Sequence, residues 1–376
     1  MRTLALVWLA WLAGCHKTDP LYCVDHPDDT VTCGAAPDGG PIDAFSGVCF
    51  GPASAPFQVC ITDMPTRDVL LPIVLDTDTD PFCLDAAHQP AAWKDATDAC
   101  IVAAVTITSN STTTSVRGKR PLVLLATQTI SITQPLVAAS VRTTGVLGPG
   151  ANPTDCMGGS DGMFGVLGAS GGGGGASFQT LGGAGGIGNS NTSPAGTPTA
   201  TGTPSRLRGG CAGTNGGGPT GAVGAPGAGG GAIYLLAGVS ITVSSTINAS
   251  GAGAVAGLAT SAGSGGGSGG MIALYAPMIT SSTGMIFANG GGGAGGGDGS
   301  TAPSSGADPT LPLDQAGGGA KGGGGGGDGG RGYGNTTDAT AGQSVSRSGG
   351  GGGGGAGYIL ANVAIGPMAS PPRRGF

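Results

Sequence analysis

The chain has 376 residues and a net charge of −6, with only 15 Lys and Arg; no basic patch or aromatic–basic interleaving argues for nucleic acid. All 21 acidic residues are Asp and none is Glu, a bias away from helix. Of the 83 glycines, 10 fall in residues 1–150 and 73 in 151–376, without the strict every-third spacing or the proline content of collagen.

The first 15 residues, "MRTLALVWLAWLAGC", read as an export signal: Arg2 gives a short positive start, Leu4 to Leu12 an apolar run, and Ala13 and Gly14 are small residues before a cysteine. Leu-Ala-Gly-Cys resembles a bacterial lipobox. Residues 1–14 are then the signal peptide and Cys15 the lipidated first residue of the mature chain. The stretch is too short for a finished spanning helix, which needs about 20 apolar residues. The expected location is the outer membrane or cell surface, held by the N-terminal lipid, with secretion as the alternative. Residues 15–45 form a polar tether with Asp, Pro and Gly in clusters.

Apart from Cys15, eight cysteines remain: Cys23, Cys33, Cys49, Cys60, Cys83, Cys100, Cys156 and Cys211. An even number in an exported chain points to disulfides, whose connectivity the spacing leaves open. Residues 46–115 form a cysteine-bearing section with two strand candidates, "DVLLPIVL" (68–75) and "CIVAAVTIT" (100–108).

A glycine-rich repeat domain is expected over 116–366, followed by a disordered tail at 367–376. "PLVLLATQTISITQPLVAAS" (121–140) and "AIYLLAGVSITVSSTINASG" (232–251) align without a gap, with Leu124 on Leu235, Ala126 on Ala237, Ile130 on Ile241 and Ala138 on Ala249. "MIALYAPMITSSTGMIFANG" (271–290) matches at Ile272, Leu274, Ile286 and Ala288, and "AGYILANVAIG" (356–366) gives a truncated fourth unit. The period is two: Ile233, Leu235, Ala237, Val239, Ile241, Val243, Ile247 and Ala249 share one parity, which is strand alternation rather than helix. The third unit changes phase after Met278, where a bulge or altered turn is expected. A unit alone could not bury its apolar face, so stacking is expected. The fold class is therefore all-β, a β-solenoid with glycine-rich loops; the alternative is a β-sandwich of antiparallel strands with flexible glycine linkers.

The glycine runs, 171–175, 216–231, 265–270, 290–299, 317–334 and 349–357, lie between the repeat units. Ordering a glycine costs about 0.5–1 kcal/mol more than ordering an alanine. Polyglycine-II-like layers offer one compensation, because extended threefold chains without side chains can approach and bond to one another; flexible linkers are the other reading. Residues 209–297 contain no charged side chain and no histidine, so this segment is expected to pack. Residues 300–348, with Lys321, Asp328 and Arg331, are expected to be the most exposed insertion.

Sites for chemistry are sparse. The three histidines are His16, His26 and His88, with no nucleophile elbow near them. Paired carboxylates for sugar cleavage would have to come from Asp298, Asp308, Asp314, Asp328 and Asp338, all in inserted loops. For calcium, "DTDTDP" offers Asp76, Asp78 and Asp80, but Pro81 replaces the loop glycine and Ala87 stands where the last ligand belongs. "GGGGGDGGR" around Asp328 fits a calcium nonapeptide in part, with Gly330 at its apolar position. No metal site, cofactor or catalytic set is assigned. Threonines in "TQTISIT" and "SITVSST" face outward by parity, and a regular face of this kind could bind ice or a carbohydrate.

The lipobox, "LRGGCAGTNGGG" (207–218), the repeat strands and "GPGANPTDC" together resemble the glycine-rich exported proteins of myxobacteria and their relatives, PGRS-like in composition. The likeness spans roughly 47–366, although "AGYILANVAIG" lacks the Arg expected there. It implies a surface or secreted location and supplies no activity or cofactor. The expected function is a lipid-anchored cell-surface protein with a structural, adhesive or binding role. Its candidate partners are the membrane, a surface polysaccharide or another surface protein. The alternative is a secreted polysaccharide-active enzyme using Asp carboxylates.

Overall fold

A computed structural model describes residues 48–52, 57–61, 63–83, 99–165, 169–366 and 368–376, all within one compact unit, Val48–Phe376. Among these residues the fold is all-β, without an α-helix. One hairpin, β1 (Val48–Phe50) and β2 (Val59–Ile61), is antiparallel; every other pairing between strands is parallel.

The parallel strands form two sheets that the chain visits in alternation. It lays down β3 (Val69–Leu70) then β4 (Val74–Asp76), β5 (Cys100–Thr108) then β6 (Thr114–Arg117), and β7 (Leu122–Ile132) then β8 (Leu136–Val137). Next come β9 (Ala232–Ala237) and β10 (Ser240–Val243) followed by β11 (Thr246–Asn248), and β12 (Met271–Tyr275) and β13 (Met278–Thr280) followed by β14 (Met285–Phe287). The last pass is β15 (Tyr358–Ala361) then β16 (Ala369–Ser370). The second strand set pairs in strict chain order, β4-β6-β8-β11-β14-β16. "DVLLPIVL" is thus not one strand. Pro72, which lacks an N–H for a ladder, sits between β3 in one sheet and β4 in the other.

Repeat alignment and strand register coincide. Leu124 sits opposite Leu235, Ala126 opposite Ala237 and Ile130 opposite Ile241, while Leu274 pairs Leu235 and Ile286 pairs Ile247. The phase change in the third unit has a local cause. Between β12 and β13 the corner is one residue shorter than between β9 and β10, and the next corner is one residue longer, so Ile286 regains its place on Ile247.

Alternate side chains build the core between the sheets, in rows such as Leu124, Leu235 and Leu274, or Ile107, Ile130 and Ile241. Val239, assigned to this face by parity, is instead 52% exposed, because it occupies the bend between β9 and β10. The opposite face of the β7–β9–β12–β15 half is buried as well. Tyr234, Leu236, Val123 and Leu125 pack there with Phe57, Val59 and Ile61 of the hairpin region and with Phe178.

The glycine runs are hydrogen-bonded structure. In 349–357, Gly349, Gly352 and Gly355 donate to Ser170, Gly173 and Ala176; Gly350 and Gly353 donate to Gln343 and Thr340; Gly351, Gly354 and Gly357 donate to Ala294, Gly291 and Ala288. Every third amide serves the same neighbour. The carbonyls repeat the pattern toward three further segments: Gly263 and Gly266 bond to Gly349 and Gly352, Gly186 and Gly183 to Gly350 and Gly353, and Gly330 and Tyr333 to Gly351 and Gly354. Six neighbouring segments therefore surround one run. None of glycines 349–357 has a positive φ, so glycine is required here for room rather than for backbone freedom. A Cβ on Gly352 would overlap the Gly183 carbonyl, and one on Gly351 the Ser264 carbonyl.

Five expectations change. Parallel pairing replaces the antiparallel arrangement of a sandwich, and the bonded runs are not free linkers. The division at 115/116 does not exist as a structural boundary: β5 pairs with β7 and β6 with β8, joining the cysteine section to the repeats in continuous sheets. Residues 369–376 are not a disordered tail, since β16 pairs with β14 and Arg374 bonds to Ile359 and Ala361, covering the edge of β15. Finally, 300–348 is exposed only on one side. In "GGGGGGDGGRGYG" (322–334), Asp328 and Arg331 point outward three residues apart, while Gly327 and Gly330 are buried and accept bonds from Gly296 and Gly293.

Candidate functional site

Cys15, His16, Cys23, His26, Cys33 and His88 lie outside the described residues. Six of the cysteines form three disulfides: Cys49–Cys60 across the hairpin, Cys83–Cys100, and Cys156–Cys211. Such bonds belong to an oxidising compartment rather than a reducing cytosol. No helix among the described residues is long and apolar enough to cross a membrane.

The acidic candidates are tied into turns. Asp76 accepts the Asp78 amide and pairs with Arg117 at 3.1 Å, Asp80 accepts the Phe82 amide, and both oxygens of Asp78 face the Lys119 amide. Asp328 accepts the Lys321 amide. Asp308 holds the amides of Arg142 and Gly253, at 3.0 and 2.7 Å. Asp298 takes the Ser300 and Thr301 amides, which hold its carboxyl below the usual carboxylate range. No group of three His, Cys, Asp or Glu side chains among the described residues could hold a metal. Asp314 and Asp338 lie on the same insertion; the Asp338 carbonyl accepts the Gln315 side chain, and burial, followed by the Asp338 charge, raises the pKa of Tyr333.

One half-buried charge stands apart. Arg208 lies 4.0 Å over the Phe178 ring and 3.7 Å from Asp155, beside the Cys156–Cys211 bridge. Burial presses its pKa down, and the Asp155 carboxylate opposes that effect. It thereby covers Phe178 of the second apolar cluster, where Phe178 meets Tyr358 edge-on at 4.9 Å.

A cleft of about 510 Å³ lies beside β3 and is lined by Asp63, Met64, Arg67, Asp68 and Phe82 among others. More regular is the outward face of β5, β7, β10 and β13. One row across the strands runs Thr106, Thr129, Ser240, Met278; two residues further along, a second runs Thr108, Ser131, Thr242, Thr280. Between the rows lie Ile107, Ile130 and Ile241, turned into the core. Each strand thus spells hydroxyl–Ile–hydroxyl, except that Met278 opens the last. Thr106 bonds to Asp68 at 2.7 Å; the other hydroxyls find no partner among the described residues and sit at half-buried or exposed positions. Alternation in the sequence places Thr129 and Thr242 on this face. It does not reach Thr106 and Thr108, because β5 lies outside the repeat, nor Thr280, whose unit changes phase.

Comparison with protein-family models, curated proteins and solved structures finds no significant match.

Proposed function

We propose that the chain is a lipid-anchored cell-surface protein that serves as a rigid structural, adhesive or binding scaffold. On this reading the alternating strands are successive coils of a β-solenoid, and the glycine runs are a polyglycine-II-like bundle laid against it. The period-three bonding of residues 349–357 to six neighbours carries the proposal. Three residues per turn without internal bonds is the geometry of an extended threefold helix, and bundling gives such helices the stiffness a scaffold needs. The anchor rests on the lipobox and the surface location on the resemblance to glycine-rich exported proteins; the three disulfides favour export.

The test is to express the chain in an exporting bacterium fed a labelled fatty acid. Label on the wild type, its loss in Cys15→Ser, and protease access on intact cells support the proposal. An unlabelled protein, or one protected inside intact cells, contradicts it.

A further inference from the structure

We propose that the Thr/Ser face of β5, β7, β10 and β13 is an ice-binding surface. The inference deepens the scaffold reading by naming what the scaffold holds, and it rests on the stacked strands of that reading. Parallel strands in register place hydroxyls at about 4.8 Å across the sheet and roughly 6.6 Å along each strand. The result is a two-dimensional grid: Thr106, Thr129 and Ser240 in one row, and Thr108, Ser131, Thr242 and Thr280 in the next.

Six of these seven hydroxyls have no protein partner among the described residues, so their bonds go to whatever lies on the face. Threonine methyls between them, and Met278, offer water nothing to bond, so water above must bond to itself and be pinned at the hydroxyls. Single pins are weak. Only a ligand that is itself periodic can use them together, and a growing ice surface is such a ligand. Rigidity matters equally, because a grid that flexes loses its match. Here the intervening isoleucines are locked in the core and the strands are tied to the glycine bundle.

A sugar chain fits the face less well. The grid positions carry no aromatic ring for stacking and no charged or amide side chain for paired hydrogen bonds.

The experiment uses the full chain at low concentration in an ice-recrystallisation assay, with amide exchange of the strands as the folding control. The wild type should slow crystal growth. Thr129→Tyr and Thr242→Tyr, which place a ring on the grid without entering the core, should each raise the concentration required by about tenfold. Thr246→Tyr, on β11 of the other sheet, should leave it unchanged. A protected chain that leaves crystal growth at the buffer rate overturns this proposal alone, as do tyrosine variants that retain full activity. Retention on chitin or cellulose with no effect on ice would reassign the face to polysaccharide. Strand amides that exchange freely would overturn the coil stack and this proposal together.

Discussion

The amide of Gly352 bonds to the carbonyl of Gly173 at 2.9 Å, joining two runs far apart in the chain across a gap that admits no side chain. The same residue accepts the Gly266 amide, so a single glycine ties three runs. Removing a side chain is here what permits two backbone bonds, which is how ordering so much glycine becomes favourable.

Position within the bundle should therefore decide the effect of alanine. At Gly352 a Cβ would overlap the Gly183 carbonyl, whereas at Gly324 nothing lies within 4 Å and φ is not positive. Gly352→Ala is expected to cost about 2 kcal/mol or more through overpacking. Gly324→Ala should be neutral or stabilise by about 0.4–1 kcal/mol by restricting the unfolded chain. Urea denaturation of both variants distinguishes them; equal effects would mean the bundle does not exclude side chains.

Tyr234 makes the opposite kind of case. Its ring is fully buried 6.2 Å from Phe57, and its hydroxyl has no hydrogen-bond partner among the described residues. Tyr234→Phe should be neutral or stabilising by about 1 kcal/mol, since no bond is lost and an unsatisfied polar atom is removed. Burial holds the Tyr234 pKa far above the ordinary tyrosine value, with Tyr275 adding to the effect. A raised folded pKa gives a contribution that is full below about pH 10 and declines as pH rises toward the folded value. That alkaline decline should weaken in the variant, as thermal unfolding across pH will record.

The disulfides should rank by the loops they close. Cys156–Cys211 spans a separation of 55 and Cys49–Cys60 one of 11. Chain-entropy arguments then give about 4 kcal/mol for the first and about 3 kcal/mol for the second. Paired Cys→Ala variants compared by denaturation test the order.

Asp298 supplies an acid-side signature. Its carboxylate caps the Ser300 and Thr301 amides and titrates below the usual range because of those bonds. A depressed folded pKa means the capping contribution is complete above about pH 3.9 and is lost as pH falls through the folded value. Amide shifts of Ser300 and Thr301 should follow that single low titration, and Asp298→Ala should abolish it.

Much of the strand stack was legible in the sequence, and for a physical reason. Parallel strands in register place like residues on like residues, so aligning Leu124 with Leu235 and Ile130 with Ile241 already stated their pairing. The altered phase after Met278 likewise marked a real change of corner. The uncharged stretch 209–297 correctly signalled packing. Period two names only one inward face, however. The burial of Tyr234 and Leu236 depends on Phe57, Val59 and Phe178, which come from distant segments and follow no repeat. Spacing alone could not pair the cysteines. Nor could it say which glycine run meets which, because residues without side chains carry no local code for their neighbour. The last residues looked like a tail because "SPPRRGF" has no alternation, yet Arg374 bonds along β15 through its backbone.

Amide hydrogen exchange decides whether the glycine runs are ordered structure. Strong protection is expected at Gly266, Gly293 and Gly349 to Gly355, comparable to that of β7 and β9, since these amides are bonded and buried. Exchange of those glycines at unprotected rates, with the strands alone protected, would return the runs to the status of linkers.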